Sequence, residues 1–169
     1  MHIKCVVIEG FRVYRHRVEL SDLSPQHNCV VGANGAGKSN FFAAIVFVLG
    51  ELGSGTLLRE EDRRALLHEG VGARVQSAFV ELTFDNSDGR MPIDRPEVAV
   101  RRSVSLRKDD FYIDGKHATK AEVASLLEGA GLCRTNPTHI VPQGRVNLLT
   151  TMKDSQRLDM LREISGTST

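Results

Sequence analysis

Tryptophan is missing from this chain, and only two tyrosines and seven phenylalanines stand in its 169 residues. A groove that grips single-stranded nucleic acid by stacking bases wants more flat rings than that. Cysteine is scarce too: Cys5, Cys29 and Cys133 are odd in number and far apart, with no metal-ligand spacing. Cys5 and Cys29 stand in apolar runs and are expected to be small buried hydrophobes, and free thiols fit a reducing, intracellular compartment. The six histidines show no ligand spacing, so no zinc site is expected. No apolar run approaches the roughly 20 residues of a membrane-spanning helix, the longest being 41–49. Met1-His2-Ile3-Lys4 opens without a signal-peptide pattern. Charge of one sign is also lacking. With 22 basic and 21 acidic residues the formal net charge is +1, which leaves a polyanionic partner open, since a basic face can hide in a neutral total.

What is present is enough for one domain with its own core. Residues 3–9 read as a strand buried on both faces, punctuated by Gly10. Val13 to Leu20 alternates as a half-exposed strand would. Turn formers over 21–27 lead to a short apolar strand, Asn28 to Val31. From Ser39 an apolar helix with Phe41, Phe42, Ala44, Ile45, Phe47, Val48 and Leu49 is expected to be buried nearly all round and to end near Gly50. Residues 50–56 read as a loop and Arg59 to His68 as a short charged helix. Gln76 to Asp85 turns Ala78, Val80, Leu82 and Phe84 inward, with a turn over 86–90. Strands follow over 97–106 and 111–113, with Asp114-Gly115 as a hairpin turn. Thr119 and Glu122 form a capping box for a helix to about Glu128. Asp154 is expected to cap a last helix carrying Leu158, Leu161 and Ile164. The order is that of an α/β sandwich with a strand-rich first half.

One octet carries chemistry. Gly32-Ala33-Asn34-Gly35-Ala36-Gly37-Lys38-Ser39 satisfies the phosphate-loop pattern G-x-x-x-x-G-K-[ST]. Its glycines let backbone N–H groups close around phosphate oxygens without a Cβ in the way. The helix that starts at Lys38 points its positive end at the same anion. Lys38 adds a mobile cation for the β- and γ-phosphates of ATP, and the Ser39 hydroxyl is a ligand for Mg²⁺. An accidental Gly-rich turn is the bland alternative. The apolar run before the octet and the apolar helix after it favour the phosphate loop.

Hydrolysis needs more. An acidic residue should end a buried apolar strand to hold Mg²⁺ and polarise water. Val6-Val7-Ile8-Glu9 lies upstream of the loop, and Phe84-Asp85 ends an alternating strand, so neither is a convincing Walker B segment. The chain therefore binds nucleotide with half of a site.

Ile8-Glu9-Gly10-Phe11-Arg12-Val13-Tyr14, and the loop's extension by Asn40-Phe41-Phe42, resemble the N-terminal head of the structural-maintenance-of-chromosomes ATPases. Leu66-Leu67-His68-Glu69-Gly70, Ser77-Ala78-Phe79-Val80-Glu81, Phe84-Asp85-Asn86-Ser87-Asp88, Asn136-Pro137 and Asp154-Ser155-Gln156-Arg157-Leu158 make it most similar to the family's cohesin branch. The resemblance implies a P-loop NTPase fold, with residues 1–169 as the N-terminal half of an ABC-type ATPase head. Coiled coil, hinge, signature motif, Walker B and catalytic Glu would then lie beyond Thr169. It also implies a second head of the same family as partner, a kleisin subunit, the chain's own C-terminal half and DNA. The setting would be the nucleus and the chromosome, in sister chromatid cohesion.

Residue by residue, the resemblance places the nucleotide on Gly32 to Ser39 and Asn40. It makes Gln143 a Q-loop amide reaching Mg²⁺ and water, and Arg12 a basic neighbour of the nucleotide, although Val13 stands where the family usually has Ser. Arg107-Lys108 falls where the cohesin branch carries an acetylated lysine pair, which leaves Lys108 alone as an acetylation candidate; a solvated strand end is the alternative. Arg59, Arg63 and Arg64 are a candidate basic surface for DNA, against a charged helix internally paired with Glu60, Glu61 and Asp62. A repair ATPase with a similar head, a self-contained P-loop kinase or GTPase, and a non-enzymatic relic are the other readings.

Overall fold

In a computed structural model, which describes residues 1–49, 58–70, 75–132, 140–141 and 151–164, six strands form one antiparallel sheet. They are β1 (His2–Glu9), β2 (Val18–Leu20), β3 (Ser77–Asp85), β4 (Glu97–Ser105), β5 (Asp109–Ile113) and β6 (Lys116–Ala118), in the spatial order β2-β1-β3-β4-β5-β6. Alternation sets the register. Leu82 lies opposite Val6 of β1 and Val100 of β4, Val80 opposite Ile8 and Arg102, so the inward residues of three strands line up. The sheet is pinned at its turns. Asp114 and Gly115 both take positive φ, 49° and 75°, the pairing that a two-residue hairpin with right-handed twist requires.

Helices cover the inward face. α1 (Lys38–Leu49) packs on β3 and β4, α2 (Glu60–Leu66) reaches β4, and α3 (Lys120–Gly129) lies on β5. The core they enclose holds Val6, Ile8, Phe11, Phe47, Val48, Leu82, Phe84, Val100 and Phe111. α3 begins with the expected box: the Thr119 hydroxyl accepts from Glu122 N–H, and the Glu122 carboxylate accepts from Thr119 N–H and Oγ1. Those bonds hold the Glu122 carboxyl below its ordinary pKa. α4 (Asp154–Ile164) differs from expectation by one position. Asp154 is its first residue, while Lys153 precedes it, receiving Arg157 N–H on its carbonyl and giving its own N–H to Gln156 Oε1.

Three further expectations are corrected. Val13 to Leu20 is a strand only over β2; Phe11 to Tyr14 is instead a tight turn, with Tyr14 N–H on the Phe11 carbonyl at 2.8 Å and Arg12 at φ 47°. Asn28 to Val31 is no strand, because it has no ladder partner among the described residues, and Val31 is 82% exposed. For the same reason Cys29 is exposed rather than buried, while Cys5 is half-buried and desolvation raises its thiol pKa. α1, finally, is buried on one side only: Ala44, Phe47 and Val48 face the sheet, and Phe42 is 45% exposed. The expected loop over 50–56, Cys133 and Asn136-Pro137 lie outside the described residues.

Candidate functional site

The octet forms a loop that turns directly into α1. Gly35 and Gly37 sit at φ 85° and 92°, a region that residues with a Cβ avoid. At Gly37 a Cβ would also lie 3.2 Å from the Val13 side chain. The Ala36 N–H bonds the Ala33 carbonyl at 3.2 Å, and the Gly37 carbonyl receives Asn40 N–H at 2.9 Å and Phe41 N–H at 3.0 Å. Gly37 is therefore the residue that opens α1. The amides of Gly35, Gly37, Lys38 and Ser39 meet no acceptor among the described residues, as expected of donors at a helix N-terminus that await an anion.

Lys38 folds back over this cradle. Its ammonium donates to the carbonyls of Gly32 at 2.7 Å and Ala33 at 2.8 Å. A cation so held stands at the mouth of a ring of N–H donors and is free to exchange two neutral acceptors for phosphate oxygens, which bind it more strongly. Ser39 is exposed at the first turn of α1, with its hydroxyl on the rim. The residues present thus fit a triphosphate and a hard cation that takes oxygen ligands.

The turn after β1 braces the loop. Tyr14 donates a long hydrogen bond, 3.4 Å, from its hydroxyl to the Gly37 carbonyl, and burial raises its phenol pKa. Arg12 Nη1 approaches Asn40 Oδ1 at 3.5 Å, its guanidinium lying over the Phe11 ring. The turn is itself held by the end of α2: Arg12 N–H bonds the Leu66 carbonyl, His68 N–H bonds Gly10 O, and the His68 Nδ1–H donates to the Arg12 carbonyl. Gly10 fits there because a Cβ would come within 2.5 Å of the Ser77 carbonyl, at a φ of 68°.

The structure thus brings Gly32 to Asn40 together with Arg12, as the sequence suggested, and adds Tyr14 and His68, which the sequence reading did not single out. Both stand in segments that carry the family resemblance, but neither matches a phosphate-binding pattern. Gln143 lies outside the described residues. Lys108 is exposed in the β4–β5 turn, where Ser105 Oγ accepts its N–H at 3.0 Å. The arginines in and just before α2 divide. Arg59 pairs with Asp62 and Arg64 with Glu69, whereas Arg63 reaches across to the Leu106 carbonyl through Nε at 3.0 Å and Nη2 at 2.8 Å. Arg63 therefore ties α2 to the β4–β5 turn.

Beside the loop runs a groove of about 1100 Å³, lined by Leu23, Cys29, Val31, Lys38, Phe42, Ile45 and Val141 among others. None of its described lining residues is Asp or Glu. Neither acidic candidate lines it: Glu9 closes β1, and the pKa of Asp85 is lowered by the Ser87 hydroxyl and by the Ser87 N–H, which it accepts at 2.8 Å.

Comparison with known proteins gives a consistent picture. The family model for the RecF/RecN/SMC N terminal domain matches residues 2–136. The chain is 58% identical over 167 residues to structural maintenance of chromosomes protein 3 of Arabidopsis thaliana, covering 99% of itself and 14% of that protein. To the protein of the same name from Saccharomyces cerevisiae it is 42% identical over 173 residues, again spanning 14% of the relative. Among solved structures, the Smc head bound to the C-winged helix domain of ScpA superposes with a TM-score of 0.83 at 30% identity, over 98% of this chain and 51% of that one. A structure described under ATP-driven dimerization and DNA-stimulated activation of SMC ATPases superposes with a TM-score of 0.78 at 29% identity, covering 97% and 99% of the two chains.

Proposed function

Since the chain belongs to the RecF/RecN/SMC N-terminal domain family and has the N-terminal-lobe fold of an ABC-type ATPase head, we propose that it is the ATP-binding lobe of a cohesin-type chromosome-maintenance ATPase. The observation that carries this reading is the cradle: unpaired amides at the start of α1, glycines at positive φ, and the Lys38 ammonium above them. Lys38 holds the β- and γ-phosphates, the amides of Gly35, Gly37, Lys38 and Ser39 hold the remaining phosphate oxygens, and Arg12 beside Asn40 adds positive charge at the flank. Ser39, with Gln143, is the place for Mg²⁺. There the ion would supply positive charge to offset that of the phosphates.

The exposed apolar wall beside the cradle supports the second half of the proposal. Val30, Val31, Phe42 and Val141 are all exposed large hydrophobics along one groove, and 28–31 offers an unpaired backbone. Such a surface suits a C-terminal half-head that adds a strand beside 28–31 and covers α1. Nucleotide held on this lobe then meets a second head of the same family, and engagement and release of the two heads drive DNA entrapment on the chromosome, with a kleisin subunit bound nearby. The names of the relatives and the head dimerization and ScpA binding described for the structural neighbours support these assignments.

The test is a calorimetric titration of the chain with ATP, with and without Mg²⁺. Saturable one-to-one binding, strengthened several-fold by Mg²⁺, is expected. Ser39→Ala should keep the metal-free affinity and lose the strengthening, because it deletes the one loop hydroxyl and leaves Lys38 in place. A chain that takes up no nucleoside triphosphate overturns the proposal. A further expected outcome concerns 28–31: their amides should exchange with solvent at close to unprotected rates in the chain alone. Addition of the C-terminal half should slow them at least about tenfold as ladder bonds form.

A further inference from the structure

The sheet's inward face carries a charged pair that does not belong to an apolar core. Arg102 of β4 is in phase with Val98, Val100 and Val104, and its side chain is 1% exposed. Every part of its guanidinium is engaged. Nε and Nη2 form a fork on the two oxygens of Asp109 at 2.8 and 2.7 Å, and the Asp109 side chain is itself 6% exposed. Nη1 donates at 2.7 Å to the carbonyl of Phe47 in the last turn of α1. The guanidinium carbon also lies over the rings of Phe47 and Phe111, 4.3 and 4.9 Å from their centroids.

Three elements therefore converge on one cation: β4 supplies it, β5 supplies its carboxylate and one ring, and α1 supplies a carbonyl and the other ring. A cation at a helix C-terminus also complements the helix dipole. Buried ion pairs are often no more stabilising than apolar residues of the same volume, so stability alone is a poor reason for this arrangement. Direction is a better one. A greasy contact lets a helix slide or rotate over a sheet. A planar fork with a third bond to a chosen carbonyl fixes where the helix ends.

We propose that Arg102, with Asp109, is a positioning residue for the nucleotide site: it anchors the C-terminal end of α1 to the β4–β5 hairpin and so fixes the placement of Lys38 and Ser39 at the helix's other end. The helix is about 18 Å long at 1.5 Å per residue, and a rigid rod of that length carries a small rotation at Phe47 into a displacement at the cradle. The inference rests on the reading of Gly32 to Ser39 as the ATP site.

The test replaces the pair by apolar residues of similar volume, Arg102→Met with Asp109→Leu, in the full chain. The double variant is expected to fold, with a circular dichroism spectrum and melting temperature close to the parent's. Its ATP affinity should fall about tenfold, and amide exchange over 44–49 should quicken while that of β3 stays as it was. Arg102→Lys keeps the charge but not the fork and is expected to lie between parent and double variant in affinity. A folded double variant that binds ATP as tightly as the parent makes the pair merely structural and overturns the proposal. If the double variant does not fold, Arg102→Lys decides, parental affinity again overturning it. Should the parent chain itself show no Lys38-dependent ATP binding, it is the assignment of the nucleotide site that falls, whereas the exchange of 44–49 in the variants still reports on the anchor.

Discussion

Lys38→Ala is expected to weaken ATP binding by about a hundredfold while leaving the melting temperature within a few degrees of the parent. The two halves of that statement have separate causes. The ammonium sits above the loop on the Gly32 and Ala33 carbonyls, and both of those bonds are made by a half-buried side chain to carbonyls of an exposed loop. Water replaces such partners at little net cost. Alanine also continues a helix better than any other residue, so α1 does not fray. Nucleotide affinity is another matter. Each hydrogen bond between an ionised donor and a phosphate oxygen contributes roughly 1.5–3 kcal/mol, and one or two of them vanish together. A loss near 3 kcal/mol is about two decades in Kd. Calorimetry on parent and variant measures it. Equal affinities would mean that the octet is a turn and that any bound nucleotide sits elsewhere.

The cradle was legible in the sequence because its chemistry is local. Glycines, Lys38 and Ser39 must follow one another along the chain for their amides and side chains to converge, so the pattern in one dimension is the site in three. The same holds for β3, whose alternation of Ala78, Val80, Leu82 and Phe84 is its burial pattern, and for the box at Thr119, which needs only residues three apart. What escaped the reading depends on distant partners. Arg102 stands in the inward phase of β4, yet its meaning appears only when Asp109, Phe47 and Phe111 are brought around it. Arg63 looked like one more cation of a charged helix until the β4–β5 turn was placed under it. The misreading of 28–31 has the opposite origin. Apolar composition announces a strand, but a strand exists only with a neighbour to pair with, and the described residues contain none for it.

That unpaired segment and the missing acid lead to one further expected result: the chain alone should turn over ATP at no more than background, and supplying a C-terminal half with a partner head should raise the rate at least about a hundredfold. Binding and hydrolysis need different groups. The amides and Lys38 stabilise charge already on the phosphates, whereas attack by water needs a base within hydrogen-bond reach of it, a contribution of about 10²–10⁴ in rate. No Asp or Glu is among the described residues lining the groove beside the cradle. Asp85 is occupied by Ser87 and faces His2, and its lowered pKa makes it a poorer base still. Glu9 closes a strand whose next residue, Gly10, is locked under His68. On the proposed reading the carboxylate arrives with the C-terminal half that is laid against 28–31. Phosphate release by parent chain, by chain plus added half, and by the same mixture carrying Lys38→Ala separates the cases. Brisk release by the chain alone, abolished in Lys38→Ala, would place a working base within these 169 residues and leave the exposed wall of Val30, Val31 and Phe42 without the partner argued for it.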